Sequence, residues 1–159
     1  MNGPDTFPLE IKLGDLKGII SILKENEGSA PLSKLAEDSE SEFEILFPLL
    51  EACRILGLVT VINGTATLTE AGNALNIKDF RKKIGQMLKG LEPFRSMLER
   101  LKKHHMTTEE LFDFMLSQGL VTQINRETDI RKFRKEMIGL LIRTEMCSYD
   151  PDEDVWKPL

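Results

Sequence analysis

The apolar pattern of this chain changes period at Gly57, and that change constrains the fold more than any other feature. Upstream, Leu13, Leu16, Ile20 and Leu23 recur at helical spacing, as do Phe43, Leu46, Leu50 and Cys53. Downstream, residues 58–62 and 65–69 are rich in Val, Ile, Thr and Leu, and Asn63-Gly64 stands between them. A tight two-residue hairpin turn needs positive φ at both positions, which Asn-Gly adopts at low cost. The sequence therefore predicts helices followed by a hairpin.

The helical part subdivides. Residues 26–29 end the first helix, and a short helix follows Pro31, with Leu32, Leu35 and Ala36 turned inward. Ser41 and Glu44 have capping-box spacing and predict the start of a third helix, buried along Phe43, Leu46, Leu50 and Cys53. Thr69 is placed to cap a short helix beginning at Glu70. Helix, short helix, longer helix, hairpin is the order of a winged helix-turn-helix.

The second half returns to a helical period. Ile77, Phe80, Ile84, Met87, Leu91, Phe94, Leu98 and Leu101 alternate steps of three and four, the seam of a helix lying along another. Gly90 and Pro93 predict a kink, or two helices meeting near 90–93. Thr107 and Glu110 suggest another capping box, Gly119 a helix end, and Asp129 the approximate start of a helix burying Ile130, Phe133, Met137, Leu140 and Leu141. Residues 146–150 and 154–158 read as a last hairpin. The expected fold is mainly α with small β-hairpins: a tandem winged helix-turn-helix, its second copy degenerate. The segments are an irregular lead (1–11), a first winged helix (12–76), a linking helical segment (77–103) and the rest of the second domain (104–159).

Composition narrows the class. The 159 residues are 41% apolar, enough to form a core and to argue against a wholly disordered chain, and 30% charged. No apolar run is long enough to cross a bilayer and no signal segment opens the chain, so a cytoplasmic protein without membrane insertion is expected. Two cysteines, Cys53 and Cys147, form neither a disulfide framework nor a metal cluster.

Charge bears on partners. Residues 1–76 hold five basic and twelve acidic side chains, and residues 77–159 sixteen and fourteen. A winged helix that reads DNA places its third helix against phosphates and needs cations there. Here that helix is entered through Glu40, Glu42 and Glu44 and carries Glu51 against Arg54 alone, while residues 58–69 contain no Lys or Arg. Protein contact is the reading favoured, with Glu42 and Glu44 as candidates, joined by Phe80, Arg81 and Met87 on the linking segment. The alternative is a DNA-binding regulator using Arg126, Arg131, Lys132, Arg134 and Lys135, although Glu127, Asp129 and Glu136 interleave with them. The 77–101 seam can pair within the chain or between two copies, which leaves a homodimer open.

No catalytic constellation is visible. His104 and His105 are adjacent, so they cannot share a helical face as a zinc-binding pair at i and i+4 does. Asp150, Asp152, Glu153 and Asp154 cluster on one short turn, read as a solvated loop, with Tyr149 and Trp156 packing the hairpin that flanks it. No cofactor, metal or enzyme activity is expected.

Several strings appear in a specific order: Pro31-Leu32-Ser33-Lys34-Leu35-Ala36, Pro48-Leu49-Leu50-Glu51-Ala52 leading to Leu56-Gly57-Leu58, Leu68-Thr69-Glu70-Ala71-Gly72, and Ser148-Tyr149-Asp150 before an acidic turn. Over residues 13–156 this order resembles the C-terminal ATPase-associated domain found with archaeal and bacterial ATP-binding cassette proteins of the nitrate, sulfonate and bicarbonate transporter type. The resemblance implies an accessory, regulatory domain with an ABC-type ATPase as partner. The ATPase is not in this chain, because no Gly-x-x-x-x-Gly-Lys-Ser/Thr phosphate loop occurs. The final turn also lacks the glycine associated with that family.

Overall fold

A computed structural model describes residues 6–159. The helical spacing of the first half becomes α1 (Leu13–Glu25), with Leu13, Leu16, Ile19, Ile20 and Leu23 buried. There follow β1 (Ser29–Pro31), α2 (Leu32–Ser39), α3 (Phe43–Ile55), β2 (Val59–Ile62), β3 (Thr65–Leu68) and α4 (Glu70–Ala74). Asn63 and Gly64 take φ of 51° and 76°, so the turn is the predicted one, and β2 and β3 pair from Val59↔Leu68 to Ile62↔Thr65. β1 adds a third strand to give the order β1-β3-β2.

Two details of this unit explain its local sequence. The Thr69 side chain accepts a hydrogen bond from Gly72 N at 3.0 Å and donates to the Gly57 carbonyl at 2.6 Å. A Cβ on Gly72 would stand 2.2 Å from the Leu58 carbonyl oxygen, so only glycine lets α4 fold back onto the hairpin. The Leu-Thr-x-x-Gly string is thus a cap plus a close backbone approach.

The start of α3 differs from expectation. Glu42, not Ser41, precedes its first turn, and no side chain caps it. Glu40 has φ of 54°, and Ser41 N donates back to the Ala36 carbonyl at 3.0 Å. Such a bond belongs to a left-handed helix stop, so Ser41 serves the end of α2. Phe43 is also a correction. The buried stripe is Leu46, Leu49, Leu50, Ala52 and Cys53, while Phe43 is 46% exposed. Leu32 and Ala36 are only half-buried, so Leu35 alone anchors α2.

The second half contains α5 (Phe80–Leu88), α6 (Phe94–Lys103), β4 (Met106–Thr107), α7 (Thr108–Ser117), α8 (Arg126–Met137), a π-helical turn over Ile138–Ile142, β5 (Cys147–Asp150) and β6 (Val155–Pro158). Two helices meet around 89–93 instead of one passing through. α7 opens with the predicted capping box: Glu110 N donates to Thr107 Oγ1 at 3.1 Å and Thr107 N to Glu110 Oε1 at 3.0 Å. α8 begins three residues earlier than Asp129, because Asn125 caps it and Asp129 accepts from the Ile124 and Asn125 amides. Gly85 marks a close backbone approach: a Cβ there would lie 2.1 Å from the Thr144 carbonyl oxygen.

The chain divides into two compact units, Ile11–Phe80 and residues 6–10 with 81–159. In the latter Phe7 is fully buried, 6.0 Å from the Phe94 ring, and its amide donates to the Glu92 carbonyl. Its core includes Met97, Leu101, Leu111, Phe112, Met115, Phe133, Met137, Leu141 and Trp156. The fold is mainly helical with small antiparallel sheets in a winged-helix-like arrangement. From α6 onward the second unit runs helix, short strand, helix, helix, hairpin, the order that α1 to β3 follows. Its strand order, β4-β6-β5, corresponds to β1-β3-β2.

Candidate protein-interaction surface

One turn of α3 separates Phe43 from Phe47, and residues at i and i+4 share a face. Their rings stack with centroids 5.6 Å apart and 22° between planes. Both stand outside the core, at 46% and 52% exposure, and Ile45 is exposed beside them. In the same unit the hairpin leaves Val61 and Ile62 exposed. From sequence Phe43 belongs to the buried stripe, and Phe47 is not singled out. Phe43 keeps helical spacing with Leu46 and Leu50, so the period itself carries no signal of its exposure.

The residues that lead into α3 are acidic. Glu37, Glu40, Glu42 and Glu44 are exposed, and none has an ion-pair partner among the described residues. The cations of α2 and α3 are engaged: Lys34 Nζ lies 3.3 Å from Asp38, and Arg54 holds both carboxylate oxygens of Glu51. Those Arg54 hydrogen bonds keep the Glu51 carboxyl below its ordinary value against the upward push of burial. Among the linking-segment candidates, Arg81 is exposed and Met87 half-buried, but Phe80 is only 2% exposed and offers a partner no surface.

The basic candidates of the second unit are largely neutralised. Arg126 bridges Glu109 and Asp113, each at 2.9 Å, with its guanidinium 5.7 Å above the Phe112 ring. Hydrogen bonds to Asp113, then to Glu109, raise its pKa further. Arg131 pairs with Glu127 at 3.4 Å and Arg134 with Asp154 at 3.6 Å. Lys132 and Lys135 are exposed with no ion-pair partner among the described residues. An open groove of about 550 Å³ here is lined by Glu109, Arg126, Glu127, Ile130, Arg131 and Arg134, so its charges alternate.

Asp152 and Glu153 of the acidic turn are exposed, as a solvated loop would have them, but Asp154 is a structural joint. Thr108, fully buried, donates to Asp154 Oδ1 and accepts from Trp156 Nε1 at 2.9 Å. Tyr149 donates its hydroxyl proton to the same Asp154 oxygen at 2.6 Å, and its ring centroid lies 4.5 Å from that of Trp156. Burial pushes the Asp154 carboxyl up, but the hydrogen bonds from Thr108 and Tyr149 and the charge of Arg134 outweigh it, leaving a value below the ordinary one. Burial and the bond to Asp154 raise the Tyr149 phenol. Asp150 accepts from the Asp152 and Glu153 amides and shapes the turn.

Other chemistry-bearing groups are dispersed. His104 ends α6, and it and His105 are exposed. Cys53 and Cys147 are free and buried, and burial pushes each thiol up to about 12. Among the described residues no three His, Cys, Asp or Glu side chains are grouped to hold a metal, and no helix is long and apolar enough to cross a membrane.

A family model described as the C-terminal AAA-associated domain matches residues 33–150, from α2 to β5 and so across both units. The chain belongs to this family. No curated protein and no solved structure matches it. The Thr69–Gly72 cap and the α3 rings fall inside the matched region of this AAA-associated domain, whereas Asp154 and Trp156 lie just beyond it.

Proposed function

We propose that this AAA-associated domain is a non-catalytic regulatory module, a tandem winged helix with a degenerate second copy, that docks a protein partner through α3. The family description names only an AAA association, and the sequence resemblance is what selects an ABC-type ATPase as the partner. The observation that carries the reading is the outward face of α3. Where a DNA reader presents cations, this helix presents the stacked Phe43 and Phe47 rings beside Glu42 and Glu44. Half-exposed rings leave roughly 200 Å² of apolar surface between them. Covering that surface is worth about 5 kcal/mol gross at ~25 cal/mol per Å². The entropic cost of association is of similar size, so the rings act as an anchor within a larger interface. Arg81 and Met87 are proposed as secondary contacts.

The DNA-binding alternative has less support, because Arg126, Arg131 and Arg134 already carry carboxylate partners. Two assays separate the readings. In the first, duplex DNA is titrated at about 50 mM salt, where phosphate attraction is strong; no binding is expected. Salt-sensitive binding abolished by charge reversal at Arg131, Lys132, Arg134 and Lys135 would overturn the proposal. In the second, the chain is co-expressed with ABC-type ATPase subunits. Co-purification is expected for the unaltered chain and not for Phe43→Ser with Phe47→Ser, two exposed positions where the fold should tolerate serine.

A further inference from the structure

We infer that the occupant of the α3 face is a cationic amphipathic helix of the partner protein. This inference rests on the docking reading above and adds the chemistry of what docks. Two features fix that chemistry. The first is spacing: Phe43 and Phe47 are one turn apart along α3 and stack as a single ridge. Ridges with a helical repeat pack into the grooves of another helix, which supplies apolar side chains at i, i+3 and i+4.

The second is charge complementarity. Glu37, Glu40, Glu42 and Glu44 lack ion-pair partners among the described residues, whereas Lys34 and Arg54 are engaged with Asp38 and Glu51. The α3 N-terminus contributes only about +0.5 charge, a small offset to four carboxylates. An acidic or neutral partner would bury these groups uncompensated; Lys and Arg at the rim of an incoming helix would pair with them.

A second copy of this chain does not fit. Apart from α8, whose three arginines are already paired with carboxylates and whose Phe133 and Met137 are buried, its basic helices are α5, with Arg81, Lys82 and Lys83, and α6, with Arg100, Lys102 and Lys103. The apolar residues of those helices, Ile84 and Leu88 in one and Phe94, Met97 and Leu101 in the other, are already buried within the chain. They have no free apolar stripe to lay on the Phe43–Phe47 ridge.

The test uses the full chain and three labelled helical peptides of about 18 residues. They share one leucine stripe and carry Lys and Arg, Glu, or Ser and Gln on the polar face. Fluorescence anisotropy gives affinities at about 50 and about 300 mM salt. The cationic peptide should bind at least about tenfold more tightly than the acidic one, and the gap should shrink at the higher salt. Both Phe43→Ser with Phe47→Ser and Glu42→Lys with Glu44→Lys should weaken the cationic peptide about tenfold, with circular dichroism unchanged. Equal affinities for the cationic and acidic peptides, or cationic binding indifferent to the phenylalanine changes, would overturn the inference. Phenylalanine-dependent capture of the uncharged peptide alone would sink the charge argument while leaving the docking reading intact. Duplex DNA binding with no peptide binding would remove both. A sedimenting dimer dispersed by the phenylalanine changes would name a second copy as occupant and also refute the inference.

Discussion

Replacing Asp154 should loosen the residue 81–159 unit in a graded order that tests both its hydrogen bonds and its backbone. Its carboxylate accepts from the Thr108 and Tyr149 hydroxyls and lies 3.6 Å from Arg134 Nε. Hydrogen bonds to a buried charge are worth ~1.5–3 kcal/mol. Since the Asp154 side chain is 36% exposed, about 1 kcal/mol for each hydroxyl is the better figure, and the ion pair adds less than about 1 kcal/mol. Asp154 also has φ of 54°, where alanine costs about 1 kcal/mol relative to glycine. Asp154→Asn keeps an acceptor oxygen and tolerates the backbone, so it should cost about 1 kcal/mol. Asp154→Gly should cost about 2 kcal/mol, and Asp154→Ala about 3 kcal/mol.

Trp156 is the only tryptophan and sits fully buried beside Tyr149, so its fluorescence in urea reports this unit. At a slope of about 1–1.5 kcal/mol per M, the alanine change should lower the midpoint by roughly 2–3 M. The sign with pH follows from a carboxyl held below its unfolded value of 3.8. Its contribution is complete above that value and is lost as pH falls through the lower folded one. The unaltered chain and Asp154→Asn should therefore converge in stability on acidification. A midpoint change for Asp154→Ala below about 0.3 M, or a constant gap between the unaltered chain and Asp154→Asn across the acid range, would refute the reasoning.

Further outcomes follow from the same structure. Gly72→Ala and Gly85→Ala should each destabilise by about 3 kcal/mol in urea titrations, because a carbonyl oxygen occupies the Cβ position. The helix-propensity gain of about 1 kcal/mol cannot offset that clash, whereas Gly90→Ala, whose nearest atom is Met87 O at 3.7 Å, should change stability little. Cys53 and Cys147 should resist a disulfide-exchange reagent at pH 8 in the native chain and react quickly in urea, since each thiol is buried and pushed up to about 12. As the two thiols lie in different units, their exchange rates give each unit's stability separately; rapid native reaction at either would contradict its burial.

Much of the fold was legible because it rests on local rules. Asn63-Gly64, Thr69 before Gly72, and Thr107 with Glu110 satisfy turn and cap requirements within a few residues, and the structure uses all three as expected. β1 and β4 were not legible. Strands of three and two residues carry no readable period, and both form by pairing with strands distant in sequence. The Ser41–Glu44 box failed because Glu40 turns left-handed and draws Ser41 into the end of α2, a competition between two helix ends that a spacing rule does not weigh. At the candidate site, Glu42 and Glu44 could be read from sequence, but the exposure of Phe43 and Phe47 could not. Periodicity groups residues by angle around a helix and does not tell where along the axis the covering core runs out.

The contrast between α3 and α8 supports placing the anchor of the proposed docking on α3. Both helices precede the hairpin in units of matching strand order. Along α8, Arg126, Arg131 and Arg134 are spent on Glu109, Asp113, Glu127 and Asp154, and Phe133 lies buried edge-on against Phe112. Its aromatic residue is inside and its charges are largely balanced, so a partner gains little by covering it. On α3 the arrangement is reversed, with aromatic rings outside and carboxylates unbalanced. Exchanging these properties is the decisive perturbation. Phe43→Glu with Phe47→Arg would give α3 the ion-paired surface of α8, with the new pair at i and i+4. The unit should remain folded, its α3 core residues Leu46, Leu49, Leu50 and Cys53 being untouched, and partner capture should cease. Continued capture by that variant would show that the docking energy lies elsewhere on the chain.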